Sequence, residues 1–388
     1  MMYFLGQAAN YRGKILKHLF ACGKKADFNA LIKHLASRYQ VPESNVLLYQ
    51  NGRTALSCGI KAVVPKRSGE QPGIVITSLT CYAVVEAVKK AGFTPVFADI
   101  DPKTLHFNGA TLEKALKQHK NIKAVIVQNN LGHPADLDSI QAVIKKHDLI
   151  LIEDLAHCAG ISYANGKEAG TVGDFAILSF GKGKSIDTIS GGALVLHATT
   201  LANVDDDQQE TRAIKQPKQP TSLPRLSDRM RDRFYPLLGA LIRLLYPLHL
   251  GKLFTSFLLK THQIKRSADA ELNPSSRLTN WQAKLALKQL IELPKNRPPL
   301  REFYFVENRA VVLAELAKKG YIMNDTWYDT PVSPDRYFKQ SGYVPAECPV
   351  AVEIAKHIVN LPTHYPAKSL EPARQIIKKH QYQGVKSE

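Results

Sequence analysis

The chain has 388 residues, enough for two or three domains of about 150 residues each and for a large core. Its 44% hydrophobic and 22% charged residues are ordinary for a globular protein and exclude collagen-like, coiled-coil and wholly disordered chains. The formal net charge of +18 predicts an anionic partner: a nucleic acid, a phosphorylated small molecule or an anionic membrane.

The start of the chain lacks the continuous apolar run and the cleavage site of a signal peptide. No window contains the roughly 18 uninterrupted apolar residues of a simple transmembrane helix. The five cysteines are scattered and form no CxxC motif, which argues against a disulfide framework or a zinc site. We therefore expect a cytoplasmic protein.

Between residues 46 and 196, short β-branched runs alternate with helical patterns. The predicted strands are GIVIT (73–77), TPVFADI (94–100), KAVIVQ (123–128) and DLILIED (148–154). The predicted helices between them cover 83–92, 111–118 and 137–147, and Asp136 is the expected N-cap of the last. This alternation predicts an α/β fold with a mostly parallel sheet covered on both faces.

The alternation stops after Leu196, where an insert of about residues 205–272 begins. Residues 211–270 contain twelve basic and three acidic residues, a net charge of +9 that is half of the chain's excess. The apolar stretch 234–260 is interrupted by charged residues, Pro and Gly, which favours a position at a membrane surface over a membrane span. Packing on the protein itself or at a dimer interface remains the alternative. Nucleic-acid binding is not expected, because the basic residues alternate with Leu and Ile more than with stacking aromatic residues.

Helical patterns dominate beyond the insert. We predict a helix from Asn280, with that residue as its N-cap, and a long helical connector over 301–320 that ends at Gly320. Short strands and a terminal helix follow up to about Gln381. These patterns predict a large domain, residues 27–290, and a smaller α+β C-terminal domain, residues 291–388.

Candidate catalytic residues follow the predicted strands, where α/β proteins bind their ligands. Asp154 ends the most apolar strand, His157 lies one turn further on, and Lys182 and Lys184 come about thirty residues later. A pyridoxal phosphate enzyme needs a lysine that binds the cofactor aldehyde and a carboxylate that keeps the pyridine nitrogen protonated. The alternative is that Asp154 caps a helix and that both lysines are solvated.

A phosphate-binding element is predicted at the turn before a helix, in NGRTAL (51–56). The free N–H groups of this turn can face an anion, and Arg53 adds positive charge. The alternative is a simple tight turn. The sequence GKGKS is not a P-loop, because the position that requires Gly is Leu178, and no GxGxxG motif is present.

Eight collinear segments resemble the DegT/StrS sugar aminotransferase family, whose members are pyridoxal phosphate enzymes of fold type I. They are residues 51–56, 77–105, 131–140, 152–160, 170–184, 190–195, 277–290 and 348–365. The resemblance covers the chain except its start and about residues 202–273. It implies a mostly parallel seven-stranded sheet in the large domain, pyridoxal 5'-phosphate as cofactor and a homodimer.

The resemblance also assigns roles to residues of this chain. Lys184 corresponds to the Schiff-base lysine, Asp154 to the partner of the pyridine nitrogen and His157 to a residue that contacts the cofactor ring. The positions that match the phosphate-binding cradle are Ser179 and the amides of Gly52 and Arg53.

Two positions depart from the family pattern. Cys81, followed by Tyr82, stands where many relatives have a Phe or Trp that stacks on the cofactor. Ser275 stands where relatives have an Asn that reaches the phosphate in the neighbouring subunit. The resemblance therefore leaves open which side chain covers the cofactor ring and how strong the contact between subunits is.

The resemblance implies transfer of an amino group from an amino acid, glutamate being the expected donor, to a keto-sugar linked to a nucleotide, in glycan or polysaccharide biosynthesis. A lipid-linked or non-sugar ketone at a membrane surface is one alternative. A cofactor-binding regulator or membrane adaptor without turnover is another. Candidate specificity residues are Trp327, Tyr328 and His364.

Overall fold

A computed structural model describes residues 3–5, 23–197, 217, 241, 244, 272–294, 297–323, 327–382 and 384. The predicted insert therefore lies almost wholly outside the described residues. In the part that is described, no helix combines the length and the apolar character that crossing a bilayer requires.

Strands and helices are numbered in chain order over the described residues. The strands are β1 (Tyr3–Phe4), β2 (Val46–Tyr49), β3 (Gly73–Thr77), β4 (Thr80–Cys81), β5 (Thr94–Ala98), β6 (Ile122–Val127), β7 (Ile150–Asp154), β8 (Phe175–Ser179), β9 (Gly192–Leu196), β10 (Arg301–Phe305), β11 (Tyr321–Ile322), β12 (Val332–Ser333) and β13 (Ile358–Pro362). The helices are α1 (Lys25–Tyr39), α2 (Gly52–Val63), α3 (Tyr82–Lys90), α4 (Gly109–Gln118), α5 (Leu137–Lys146), α6 (Asn280–Ile291), α7 (Arg309–Lys318), α8 (Pro349–His357) and α9 (Ala367–Lys379).

The central sheet has seven strands in the order β2-β9-β8-β7-β6-β3-β5. The strands from β8 to β5 are parallel to one another, whereas β9 is antiparallel to both β8 and β2. This arrangement confirms the predicted mostly parallel seven-stranded sheet. Because the strands of the parallel set run in the same direction, their carboxyl ends meet along one edge, where the candidate residues were expected.

Both faces of the sheet are covered, which explains why the strands are apolar at consecutive positions. Val75 and Val125 belong to a core cluster that includes residues of α1, α5 and α6. Their neighbours Ile74 and Ile126 belong to the opposite cluster, with residues of α2, α3 and α8. Alternate residues of one strand thus enter different cores, so an uninterrupted apolar run is needed to fill both.

The predicted helix cap at Asn280 is wrong by one residue. Thr279 is the N-cap: its Oγ1 accepts the Gln282 amide at 3.3 Å, and Gln282 Oε1 accepts the Thr279 amide at 2.9 Å. This reciprocal capping box satisfies two backbone donors at once, which a cap at Asn280 would not do. The predicted N-cap of α5 is confirmed, since Asp136 Oδ1 accepts the Ser139 amide.

The predicted helical connector over residues 301–320 is also wrong. Residues 301–305 form β10, which pairs antiparallel with β13, and a helix begins only after Asn308. The Asn308 side chain accepts the Val311 amide at 3.2 Å and so caps α7. The run REFYF is rich in aromatic residues, which favour strands, and pairing with a distant strand makes that preference decisive.

The C-terminal part of the chain has a core of its own. Residues of α7, β13 and α9 pack together there, and β1 joins them by pairing with β11. The pairing of β4 with β12 and the capping of α8 by Asp99 connect this region to the central sheet. Domain boundaries at residues 27–290 and 291–388 remain a prediction.

Candidate active site

Asp154 lies at the carboxyl end of β7 and is buried, with 4% of its surface exposed. Its Oδ1 accepts the Ala156 amide at 3.0 Å. Burial raises the pKa of this carboxyl above its usual value, while the Ala156 amide and the positive charge of Lys184 oppose the rise. The carboxyl group is therefore held in a buried place, where a cationic partner would favour its charged form.

Lys184 lies in the loop after β8, with Nζ 2.8 Å from Nε2 of His157. Burial lowers the pKa of the ammonium group, and Cys81 and Asp154 act in the opposite direction. Only a neutral amine can attack an aldehyde, so this lowered pKa suits a nucleophilic lysine.

His157 fixes which atom of this pair carries the proton. Its Nδ1 accepts the Leu131 amide at 3.1 Å, and burial together with the charge of Lys184 lowers its pKa well below the ordinary value. A neutral imidazole that accepts at Nδ1 must carry its hydrogen on Nε2. Nε2–H then donates to Lys184 Nζ, which can accept only as a neutral amine. His157 thus favours the reactive form of Lys184.

The loop that carries Lys184 is held by Asp187, a buried residue. Its Oδ2 accepts the Gly183 amide and its Oδ1 accepts the Ile189 amide, both at 3.0 Å. Gln289 of α6 adds a further bond, because its Oε1 accepts the Asp187 amide at 2.9 Å. Local turn bonds and a helix contact together set the direction of the lysine side chain.

Gly52, the first residue of α2, lies directly against Ser179 at the end of β8. A Cβ at this position would lie 2.7 Å from the Ser179 Cβ and 3.1 Å from its Oγ. Gly192 is equally close, since a Cβ there would lie 2.5 Å from the Gly52 nitrogen. The close approach leaves room for backbone donors at a helix N-terminus, an arrangement that suits a phosphate group.

The neighbouring Asn51 and Arg53 have different roles. Asn51 Oδ1 accepts the Thr54 amide at 2.8 Å and caps α2. The guanidinium of the buried Arg53 forms an ion pair with Glu86 of α3. The side-chain charge predicted to assist phosphate binding is thus directed at Glu86, and the Arg53 amide is the group that remains positioned in the first turn of the helix.

These residues fit pyridoxal phosphate. Lys184 would hold the aldehyde, Asp154 the ring nitrogen, and Gly52 with Ser179 the phosphate. When bound, the cofactor supplies an electron sink for the carbanion formed from the substrate. Across the described residues, no group of three His, Cys, Asp or Glu side chains is arranged to hold a metal ion.

Comparison with known proteins supports the same cofactor. Residues 29–206 match the family model described as the DegT/DnrJ/EryC1/StrS aminotransferase family. Across these residues, just under half of the chain, the protein is similar to that family. Its fold is that of the pyridoxal phosphate-dependent aminotransferases of fold type I.

Relatives and solved structures extend this comparison. The chain is 26% identical to a pleiotropic regulatory protein of Geobacillus stearothermophilus over 87% of each chain. It is 36% identical to the GDP-perosamine synthase of Caulobacter vibrioides over 39% of each chain. Among solved structures, a family aminotransferase from Brucella abortus matches with a TM-score of 0.65 at 19% identity, covering 98% of this chain and 99% of that one. Helicobacter pylori PseC, an aminotransferase involved in the biosynthesis of pseudoaminic acid, matches with 0.64 at 18% identity and the same coverage.

The first departure from the family pattern lies at the β4–α3 junction, where Cys81 ends the strand and Tyr82 begins the helix. The second, Ser275, lies in the turn before α6. Cys81 is half-buried and close enough to Lys184 to raise its pKa. The Tyr82 ring instead stacks on Tyr337, with ring centroids 4.6 Å apart. Of the two, Cys81 is therefore the one electrostatically coupled to the reactive lysine.

Ser275 is exposed and its amide donates to Asn273 Oδ1 at 3.1 Å. The Asn273 amide in turn donates to Thr54 Oγ1 at 3.3 Å, so this turn lies beside the N-terminal turn of α2 in the same chain. A contact of Ser275 with the cofactor phosphate of a neighbouring subunit stays a prediction.

The C-terminal region contributes aromatic side chains to the site. Trp327 stacks on His157 with a centroid distance of 4.6 Å, and Lys184 Nζ lies 5.1 Å from the Trp327 ring centroid. The Tyr328 hydroxyl donates to Asn130 Oδ1 at 2.8 Å. The third specificity candidate, His364, lies against the ring of Tyr365 at 4.3 Å. The structure thus brings Trp327 directly to the reactive lysine.

Several supporting residues were missed by sequence reasoning. Glu153, beside Asp154, accepts the amides of Gly170, Val172 and Gly173 and the Tyr163 hydroxyl. An acidic residue inside an otherwise apolar strand was the available signal, since a buried carboxylate requires donors. Other supporting residues contacting the site loops are Asn130, Asp187, Arg297 and Arg301. Their roles depend on contacts between distant parts of the chain.

Proposed function

We propose that the protein transfers an amino group from an amino acid, with glutamate as donor, to the ketone carbon of a nucleotide-linked sugar in glycan or polysaccharide biosynthesis. The observation that carries the proposal is the 2.8 Å contact between Lys184 Nζ and His157 Nε2, beside the buried Asp154. Lys184 is positioned to move a proton at the substrate carbon, and His157 keeps its amine neutral between transfers. The Trp327 ring centroid lies 5.1 Å from Lys184 Nζ.

The names of relatives support the class of acceptor. GDP-perosamine synthases and a UDP-N-acetyl-3-dehydro-α-D-glucosamine 3-aminotransferase of Acidithiobacillus ferrooxidans act, by those names, on nucleotide sugars. The matches with them cover 38–40% of those chains. We therefore propose only the class of acceptor, a nucleotide-linked keto-sugar, and do not assign to this chain the sugar of any one relative.

The test has two half-reactions. Purified protein loaded with pyridoxal phosphate is mixed with glutamate, and conversion to the amino form is followed by absorbance and by formation of 2-oxoglutarate. The amino form is then offered a panel of nucleotide-linked keto-sugars, and products are identified by mass spectrometry. Conversion in both steps supports the proposal, whereas absence of the first step with every amino acid tried excludes an aminotransferase.

We also propose a homodimer located in the cytoplasm. The support is the resemblance to the family. Analytical ultracentrifugation of the loaded protein tests the dimer. A monomer that transaminates at full rate would rule out a required contribution from a second subunit.

A membrane-surface acceptor, such as a lipid-linked ketone, is a second candidate. Its support is the +9 charge of residues 211–270 and the exposure of Leu241 and Leu244, which expose 41% and 73% of their surface. Basic residues and exposed leucines together favour adsorption to an anionic bilayer. Liposome sedimentation tests it: binding should require anionic lipid, weaken with salt and fall when Leu241 and Leu244 are replaced by Ser.

A regulator without turnover is the remaining alternative, and the match to a pleiotropic regulatory protein is its support. The retained Asp154 favours catalysis, because a carboxylate that keeps the ring nitrogen protonated serves the electron sink and is not needed to bind the cofactor. The glutamate half-reaction separates the two functions.

A further inference from the structure

The connection between α6 and β10 packs against the loops that carry the site residues. A Cβ at Gly160, in the loop after β7, would lie 2.8 Å from Leu293 Cδ2. A Cβ at Gly132, in the loop after β6, would lie 2.6 Å from the Leu300 nitrogen. Glycine at both places therefore leaves room for the connection to lie directly on these loops.

Arg297, in this connection, donates hydrogen bonds to two of the loops at once. Its Nε donates to the Ala159 carbonyl oxygen at 2.8 Å, and its Nη2 donates to the His157 carbonyl oxygen at 2.7 Å. Nη2 also donates at 2.5 Å to Oγ of Ser185, a buried residue in the loop after β8. One planar guanidinium thus joins the loop after β7 to the loop after β8.

The two joined loops carry the contacting pair of the active site. Ser185 directly follows Lys184, and Lys184 Nζ lies 2.8 Å from His157 Nε2. Bonds within one loop, such as those of Asp187, do not fix the distance of that loop from another. The fork of Arg297 does so, because it holds the His157 carbonyl oxygen and the Ser185 hydroxyl at set positions relative to each other.

The charge of Arg297 acts on His157 as well. Burial lowers the pKa of His157, and the positive charges of Lys184, Arg301 and Arg297 lower it further. A guanidinium stays charged in proteins, so this effect does not depend on the ionisation of Arg297. The neutral imidazole that results is the form that donates from Nε2 to the lysine amine.

We propose that Arg297 is a positioning residue for amino-group transfer, which joins the loops of His157 and Ser185 and so keeps Lys184 in contact with the imidazole. The inference rests on the proposed function, in which Lys184 is the reactive lysine. The acceptors of Arg297 are two carbonyl oxygens and one hydroxyl, which a planar fork can bridge and the compact ammonium of a lysine cannot. Loss of the guanidinium should therefore weaken the contact between Lys184 and His157 even where a positive charge remains.

The first measurement uses cofactor-free protein and compares Arg297→Lys and Arg297→Gln with the unaltered chain. Limiting acetic anhydride at a series of pH values labels the neutral form of each lysine amine, and peptide mass spectrometry reads Lys184 separately. At neutral pH we expect both variants to lower the labelling of Lys184 by about 2- to 10-fold, the value of one net hydrogen bond. The midpoint should move to higher pH, because the bond from His157 stabilises the neutral amine and its loss favours the charged form.

Arg38→Lys is the matched control for this measurement. Arg38 is a half-buried arginine that pairs with Glu168 and donates to the Leu290 carbonyl oxygen at the end of α6. Its replacement should leave the labelling of Lys184 unchanged.

The two Arg297 variants separate geometry from charge. If Arg297→Lys labels Lys184 like the unaltered protein while Arg297→Gln does not, the charge alone is responsible and the positioning role is wrong. Unchanged labelling in both variants also overturns the proposal.

In the loaded enzyme a displaced lysine should slow the reaction without weakening donor binding. We expect both Arg297 variants to lower turnover at saturating glutamate by about 10- to 100-fold, as misplacement of a reacting group does. The half-saturating glutamate concentration should stay unchanged. A change in that concentration alone, with full turnover, contradicts a positioning role.

Ser185→Ala covers the case in which the Arg297 variants do not fold. It removes one acceptor and leaves Arg297 in place, so the labelling of Lys184 should fall in the same direction by a smaller factor. Labelling equal to that of the unaltered protein overturns the proposal. If labelling shifts as expected but no amino acid reacts with the loaded protein, the aminotransferase proposal fails and the positioning of Lys184 by Arg297 stands.

Discussion

The two sides of the active site differ in what their charged groups contact. On the side of the central sheet, Asp154, Glu153 and Asp187 each accept backbone amides, and Arg53 is paired with Glu86. On the C-terminal side, Arg301 keeps a buried nitrogen without a partner beside Trp327. The sheet side is built to hold one cofactor in one position. The C-terminal side brings the aromatic ring of Trp327 to the reactive lysine, and we expect substrate preference to reside there.

The largest effect should follow from removing the sheet side's nucleophile. We expect Lys184→Ala to lower turnover by at least about a thousandfold, because a positioned acid–base alone contributes 10²–10⁴-fold. Borohydride reduction followed by peptide mass spectrometry should find the cofactor on Lys184 in the unaltered protein and on no lysine in the variant. Lys182→Ala is the matched control and should keep both label and activity. Label on Lys182 in the unaltered protein would reassign the site.

Loss of the carboxylate on the same side should have the next largest effect. Asp154→Asn keeps an acceptor for the Ala156 amide but removes the charge that stabilises a protonated ring nitrogen. We expect cofactor binding to persist while turnover falls about a hundredfold, the order found when one electrostatic contact to a transition state is lost. Single-turnover kinetics with glutamate measure this. Unchanged kinetics would reduce Asp154 to a structural role.

A steric change tests the close packing of the phosphate cradle. Gly52→Ala places a methyl group 2.7 Å from the Ser179 Cβ, and we expect it to lower the free energy of unfolding by about 1–3 kcal/mol as overpacked substitutions do. Denaturant unfolding of the protein without cofactor measures the loss. Adding Ser179→Gly removes the Cβ that the new methyl group would contact, and it should restore part of the lost free energy of unfolding. If the double variant is no more stable than the single one, the contact is not the cause.

The smallest effect concerns the pH dependence of cofactor attachment. Burial lowers the pKa of Lys184, and the negative charge of Asp154 partly opposes this effect. The neutral amine therefore forms at a lower pH than in an ordinary lysine. We expect the rate of cofactor attachment to rise with pH and to level off at a correspondingly lower pH. Without the Asp154 charge this pKa should fall further, and the midpoint for Asp154→Asn should move to lower pH. Stopped-flow absorbance at a series of pH values measures the shift. A midpoint that moves upward would contradict the electrostatic coupling.

Much of the sheet side was predictable from the sequence. Strands and helices of the α/β region follow from local hydrophobic patterns, and residues at strand ends meet because parallel strands share a direction. The predicted strands at 73–77, 94–100, 123–128 and 148–154 all occur, with ends shifted by at most two residues. The positions of Asp154 and Lys184 followed from that regularity together with a family resemblance.

The C-terminal side was decided by tertiary structure. REFYF became a strand because residues 358–362, more than fifty positions later, supply its hydrogen-bonding partner. The N-cap of α6 is Thr279 and not Asn280, because the Gln282 side chain accepts the Thr279 amide while Thr279 Oγ1 accepts the Gln282 amide. Arg301, Trp327, His157 and Lys184 are far apart in the chain and meet only after the C-terminal region packs on the sheet. Local sequence encodes each element's own preference, whereas the contacts that leave one buried guanidinium nitrogen unsatisfied exist only between elements, so they appear only in the folded chain.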